Sequence, residues 1–257
     1  MSAILETKNL SIHFGGLKAV DDVTFQAEEG EITAIIGPNG AGKTTVFNLL
    51  AGFYEPTEGS VFFDGQDMKG IPTYKRTSLG MARTFQNINL FKSMSVMDNA
   101  LVGLHTRMKA DPISCILHTP KMMKEQNKAK EEMMEILDLL GLADVADVPA
   151  GSLSYGKQKN LEIARAVATH PKLLLLDEPA SGLNTQELDE LSLRVEKLRQ
   201  RGISIILIEH KMDVVMSISH KIMVLNFGKN IAYGTPEEIK NNPLVIEAYL
   251  GKDDEEE

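Results

Sequence analysis

Glycines, a lysine and two threonines stand together in the stretch Gly37–Thr45, which reads GPNGAGKTT. Gly37, Gly42, Lys43 and Thr44 occupy the fixed places of G-x-x-x-x-G-K-[ST], a spacing whose chemistry is the cradling of a polyphosphate. Glycines let successive backbone N–H groups turn inward with no Cβ in the way, so the loop Gly37, Pro38, Asn39, Gly40, Ala41 and Gly42 can wall an anion site. Lys43 supplies a point charge, and the Thr44 hydroxyl can ligate a hard cation such as Mg²⁺. Thr45 carries the chain on into a helix, whose unpaired N–H groups and positive dipole end favour an anion.

A second set of residues can act on what such a loop holds. Asp177 and Glu178 end the run LLLLDE, and two carboxylates there are costly to bury unless they have a cation or a water to act on. Asp177 can hold Mg²⁺ through water; Glu178 can orient or deprotonate an attacking water. His210 ends another apolar run, ISIILIEH, where a neutral imidazole could donate to a γ-phosphate oxygen or serve structure alone. Gln86 follows MARTF, and its amide can touch both a metal's water and a moving partner; taken alone, it is equally a surface side chain. Ser154 and Gly156 open LSYGKQ, a capping residue followed by one that permits close backbone approach. Phe14, just before a glycine pair, could stack on a base or simply pack. The remaining histidines have no clustered spacing, so no zinc site is expected.

These residues need strands and helices to position them. Residues 5–14 and 19–27 read as antiparallel strands, with alternation in VTFQA. The apolar ITAII before the loop, the four leucines Leu173–Leu176 and ISIILIE are bounded by turn signals and suit strands buried on both faces. FNLLAG continues the helix after the loop, SVFFDG is a strand, residues 72–79 are a short helix and residues 81–85 a further strand. Residues 95–104 form a helix capped by Ser95 with Asp98 at its third position. Residues 107–124, interrupted by Pro112 and Pro120, are expected as a long loop or broken helices, and residues 125–140 as a helix with a methionine- and leucine-rich stripe. These helices and the one opened by LSYGKQ make an inserted helical subdomain over about residues 86–169. SGLN at Ser181–Asn184 turns into a charge-laced helix over residues 186–200; a hairpin and two short helices finish the chain.

Composition sets the bounds. The 257 residues, 43% of them hydrophobic, suffice for a sizeable core in one large domain or a domain with a subdomain. A formal net charge of −9, part of it in the tail DDEEE, argues against bulk nucleic-acid binding. Cys115 is the only cysteine, so no internal disulfide is expected and a reducing cytoplasm is the natural compartment. Neither a signal peptide nor an apolar run of roughly 18 residues is visible, so a membrane role is expected to come through a partner.

With GPNGAGKTT, Gln86, LSYGKQ, LLLLDEP and His210 in this order, the chain resembles the ATP-binding-cassette ATPases over nearly its whole length. The resemblance implies an α/β P-loop fold: a RecA-like parallel-sheet core with an antiparallel β subdomain over residues 1–85 and 170–252, a helical subdomain over 86–169, and a disordered acidic tail over 253–257. RTFQNINLF, LSYGKQKNLEIARA and the ending GTPEEIKNNPLVIEAYLG look like the ATP-binding subunit of branched-chain amino acid importers, with urea or amide importers and lipopolysaccharide exporters sharing much of the wording. Carried over position by position, Phe14 would stack on adenine, Gly37–Thr45 would wrap the phosphates of ATP, and Thr44, Gln86 and Asp177 would serve Mg²⁺. Glu178 would be the general base, and Lys43 and His210 would meet the γ-phosphate. Ser154 and Gly156 would contact the nucleotide of a second, identical or homologous subunit.

The implied partners are that subunit, two membrane permeases and, indirectly, a solute-binding protein, with the chain peripheral on the cytoplasmic face of the membrane. Asn184 departs from the usual acidic residue of its turn, which leaves its role across a dimer less secure. Lys157 and Lys159 stand where glutamine and arginine are common and leave the signature glycine intact. Other readings fit less. A soluble cassette ATPase would bring a second cassette or a long coiled-coil insertion, a P-loop kinase has no use for LSYGK, and a non-catalytic cassette would not need Lys43, Asp177 and Glu178 together.

Overall fold

The computed structural model describes residues 2–84, 88–106 and 120–250. Gln86, the end of the expected strand at Phe85, most of the expected loop over 107–124 and the acidic tail lie outside the described residues.

Three runs of apolar sequence become the centre of a six-stranded sheet. β3 (Ile32–Ile36), β7 (Leu173–Asp177) and β8 (Ser204–Ile208) are buried at every position. They lie side by side in parallel, in the order β10-β9-β3-β8-β7-β6. β6 (Met81–Arg83) adds in parallel beyond β7, and β9 (Lys221–Asn226) beyond β3; β10 (Lys229–Gly234) pairs antiparallel with β9 as the expected hairpin. Continuous apolar runs are what such strands require, because alternate side chains point to opposite faces and both faces are covered. Ile32, Ala34, Leu174, Leu176, Ile205 and Leu207 face one core, while Ile35, Leu173, Leu175, Ile206 and Ile208 face the other. Truncating one such leucine to alanine costs about 2–5 kcal/mol, the lost burial plus the cavity.

One face is covered by α1 (Lys43–Ala51) and by a four-stranded antiparallel sheet. That sheet runs β2-β1-β4-β5 and is built from β1 (Ala3–Phe14), β2 (Leu17–Glu28), β4 (Glu58–Phe63) and the two-residue β5 (Gln66–Asp67). The short β5 has no signature in the sequence, being two polar exposed residues in a turn. α2 (Thr73–Leu79) leads into β6.

The other face carries helices. α3 (Val96–Leu101) has Ser95 as its cap, accepting from the Asp98 amide at 3.0 Å, and runs on as a 3₁₀ turn over Val102–Thr106. The expected helix over 125–140 begins earlier, so that α4 spans Pro120–Leu139; proline is tolerated in a first turn because its missing N–H would have had no partner there. α5 (Tyr155–Val167) is capped by Ser154, and α6 (Thr185–Gln200) by Asn184. Asn184 and Glu187 form a reciprocal capping box with both bonds at 3.0 Å, which is what an amide does as well as a carboxylate at this turn. α7 (Met212–Ile218), α8 (Pro236–Lys240) and α9 (Pro243–Leu250) complete the chain. Among the described residues no helix is long and apolar enough to cross a membrane.

Candidate active site

The phosphate loop leaves β3, Asp177 and Glu178 leave β7, and His210 follows β8. Because these strands are neighbours in register, with Ile35 and Asp177 both paired to Ile208, their carboxyl ends deliver the loop, the carboxylates and the imidazole to one edge of the sheet. Crevices at the carboxyl ends of parallel strands are where such folds hold ligands. Here a cleft of about 570 Å³ is lined by Phe14, Leu17, Asn39 to Thr45, Glu178, His210 and Phe227.

Gly42 stands at φ +99° as the residue before α1, and a Cβ on it would meet the Ala19 carbonyl at 2.6 Å, so only glycine fits this turn. Asn39, Gly40 and Thr44 are exposed to the cleft, whereas Gly37 and Pro38 are buried beneath it. Lys43 is buried, and its ammonium donates to the carbonyls of Gly37 at 2.7 Å and Pro38 at 2.8 Å. Phe14 is half-exposed at 47% and meets the Tyr54 ring edge-on, with centroids 5.4 Å apart, which presents an aromatic surface at the mouth.

Glu178 has the left-handed φ of +48° and lies on the cleft, with the His210 Nε2 3.0 Å from its Oε1. Asp177 is set behind it. Its carboxylate is buried and accepts from the Arg83 Nη2 at 2.8 Å, while Arg83 Nη1 donates to Asn48 of α1 at 2.7 Å. The Arg83 guanidinium lies over the rings of Phe47 and Phe53, 5.3 and 5.2 Å from their centroids. Oxygen donors on Thr44 and Asp177, a hydroxyl and a carboxylate, are the kind a hard divalent cation takes.

Ser154 and Gly156 are elsewhere. They line a separate cleft of about 270 Å³ with Asn184, Glu187 and Arg194, and Gly156 is packed so that a Cβ would meet a Glu187 oxygen at 2.6 Å. Ser154 is exposed, its hydroxyl accepting from the Lys157 amide. So the chain gathers Phe14, the loop, Glu178 and His210 at one place, keeps Asp177 just beneath it, and puts Ser154 and Gly156 at another. Gln86 is outside the described residues.

Four residues around this site escaped the sequence reading. Arg83 braces Asp177. Lys159, buried on the inner side of α5, donates to the Glu178 carbonyl at 2.6 Å. Glu209 accepts from the amides of Ala180 at 2.5 Å and His210 at 3.1 Å. Lys211 donates to the Leu183 carbonyl at 2.9 Å. Burial pushes the Glu209 carboxyl up from its ordinary 4.5, against the opposite pull of those amides and of Lys159. Burial likewise pushes the Lys159 ammonium down, with Glu209 the largest of the carboxylates drawing it back. The signal available was a cation four residues before Ile163, in the row that faces the core.

The family model described as ABC transporter matches residues 20–181. The chain belongs to that family. A second model, described as branched-chain amino acid ATP-binding cassette transporter, matches residues 229–255. The high-affinity branched-chain amino acid transport ATP-binding protein BraF of Pseudomonas aeruginosa is 46% identical over 250 residues, covering 97% of this chain and 98% of that one. The LivG protein of the same description from Escherichia coli K12 is 45% identical with the same coverage. Among solved structures, the ADP conformation of an ATP-binding cassette of an ABC transporter superposes with a TM-score of 0.85 at 33% identity, covering 98% of this chain and 100% of that one. A nucleotide-free cassette gives 0.84 at 34% identity. The resemblance drawn from GPNGAGKTT, LSYGKQ and LLLLDEP therefore holds, and so does the α/β P-loop fold it implied.

Proposed function

We propose that this cassette hydrolyses ATP to drive uptake of branched-chain amino acids, as one of two subunits paired head to tail beneath two membrane permeases. Its place would be the cytoplasmic face of the membrane, with residues 86–169 moving as a helical subdomain against a core formed by 1–85 and 170–252. The observation that carries the pairing is the separation of the two clefts: Ser154 and Gly156 do not face the phosphate loop of their own chain. A helix start that bears Ser154 and Gly156 away from Lys43 and Glu178 is useful when it closes over a neighbour's nucleotide. The printed descriptions of the relatives, and the match over residues 229–255, support the choice of cargo.

Phosphoryl transfer to water requires little covalent work, only charge neutralisation and an aligned nucleophile. Lys43 would bind the β- and γ-oxygens, and Phe14 would stack on adenine. Glu178 would take the proton of the attacking water, and His210, within 3.0 Å of that carboxylate, would hold it in place and reach the γ-phosphate. Thr44 and Asp177, with Gln86, would hold Mg²⁺, which neutralises phosphate charge when bound. Solute-binding protein and permeases would supply the cargo and the path.

Glu178→Gln is the test. It keeps the shape and removes the base, so ATP should bind and hold the chain as a dimer in size-exclusion chromatography while turnover ceases. Turnover at the wild-type rate would remove Glu178 from that role. The cargo is tested by leucine uptake into vesicles bearing the whole transporter, with urea and short amides as controls.

A further inference from the structure

Lys159 lies five residues beyond Ser154, about 7.5 Å along α5 at 1.5 Å per residue. Its side chain runs inward, only 5% of the residue exposed, past the ring of Tyr155, whose centroid is 5.6 Å from the ammonium. It ends on the backbone carbonyl of Glu178 at 2.6 Å. Glu178 is held at φ +48°, a conformation that a residue with a Cβ rarely adopts and keeps only when its surroundings impose it. The next restraint along the chain comes from the other side, where the buried carboxylate of Glu209 accepts from the Ala180 amide at 2.5 Å. Further on, Lys211 holds the Leu183 carbonyl at 2.9 Å. Besides the bond from the Glu178 amide to the Ile208 carbonyl at 3.0 Å, the segment from Glu178 to Leu183 is thus held by side chains at three backbone points, and only the first of those three comes from α5.

We propose that Lys159 is a positioning residue for hydrolysis. It fixes the backbone from which the Glu178 side chain departs, and it does so from the helix that presents Ser154 and Gly156. A subunit's own base would then be aimed through its own α5, by a bond that the single chain already makes, so that any shift of α5 on meeting the neighbour's nucleotide would be felt at Glu178. The two sites of a pair would be linked through a rigid stretch of one and a half turns. This rests on the reading of Glu178 as base and of Ser154 as a contact across the pair.

The test uses the full chain, at concentrations that allow pairing, as Lys159→Met, Lys159→Arg and Glu178→Gln. Lys159→Met should lower kcat at least tenfold, while KM and the affinity for a fluorescent ATP analogue stay within twofold. Lys159→Arg, which restores a cationic donor, should recover most of kcat. Should Lys159→Met fail to fold, Lys159→Leu, which likewise has no donor, carries the same expectation. A kcat within twofold of wild type would overturn the inference. So would a loss of nucleotide affinity that matches the loss of kcat, or the absence of any recovery with arginine. Failure of the underlying reading shows itself separately, because wild-type turnover by Glu178→Gln does not depend on Lys159.

Discussion

Replacing Arg83 by methionine tests how the buried carboxylate of Asp177 is held. The side chains of Arg83 and Asp177 are 10% and 5% exposed and 2.8 Å apart, so the pair is shielded from water rather than screened by it. Removing one partner of such a pair leaves an uncompensated charge and costs about 3–5 kcal/mol. Methionine keeps much of the apolar contact of the arginine stem with Phe47 and Phe53, so the loss reports chiefly on charge and hydrogen bonding. For a chain of this size each kcal/mol moves the melting midpoint by roughly 2–4 °C, which places the variant on the order of 10 °C below wild type.

Thermal unfolding followed by far-ultraviolet circular dichroism measures that shift, and a double-mutant cycle assigns it. Asp177→Asn keeps the shape and drops the charge. If Arg83 acts through Asp177, the double variant should lose less than the sum of the single losses by on the order of 2 kcal/mol. Single losses that add to within about 0.5 kcal/mol would refute the reasoning, because independent sites add in that way.

Lys43→Ala should raise the dissociation constant for ATP by roughly 100-fold or more, about 3 kcal/mol of charge-assisted binding, in equilibrium titration with a fluorescent analogue; an unchanged constant would contradict its placement on the phosphates. Glu209→Gln should change how stability depends on pH. Burial raises the Glu209 carboxyl above its ordinary 4.5, so between 4.5 and that higher value the folded chain keeps a proton that the unfolded chain has released. The stability this group contributes is therefore full below 4.5 and is lost as pH rises through the raised value. Glutamine still offers an oxygen to the Ala180 amide and carries no such loss, so urea midpoints should favour the variant more at pH 7 than at pH 4. An equal difference at both would refute this.

The parallel core was legible because its strands have to be apolar on both faces: four leucines before Asp177 and ITAII before Gly37 admit few other forms. The caps were legible for a similar reason, since Ser95 and Ser154 each precede a helix whose first amides need an acceptor. Arg83, Lys159 and Glu209 were not. Each is a charged residue in an element read from its apolar neighbours, and its partner is a group far along the chain: Asp177 for Arg83, the Glu178 carbonyl for Lys159, the Ala180 amide for Glu209. A one-dimensional pattern contains the cost of burying such a charge and nothing about what relieves it. Lys159 looked like an interchangeable neighbour of the signature glycine, and only the approach of α5 to the end of β7 makes it a support for Glu178.

The bonds within the site explain how a cleft lined by Lys43 and Glu178, with Asp177 buried beneath it, keeps these charges from neutralising one another. Lys43 lies on the carbonyls of Gly37 and Pro38, Asp177 on Arg83, and Glu178 beside His210. Each charge is satisfied by a group of the loop itself or of a neighbouring strand, Arg83 on β6 for Asp177 and His210 after β8 for Glu178, and the positive loop stays distinct from the negative strand ends. Groups oriented by the fold in this way need no reorganisation when charge develops on a transferring phosphoryl group, which is the main source of electrostatic catalysis. On the proposed placement of Lys43, an arriving phosphate would have to share it with two carbonyls or draw it away from them, so that its binding energy would be a difference between contacts and not their sum. A triphosphate, whose charge can compete with two neutral carbonyls, is better matched to that exchange than a neutral or singly charged ligand. The discrimination then comes from the resting partners of Lys43 as much as from the loop that surrounds it.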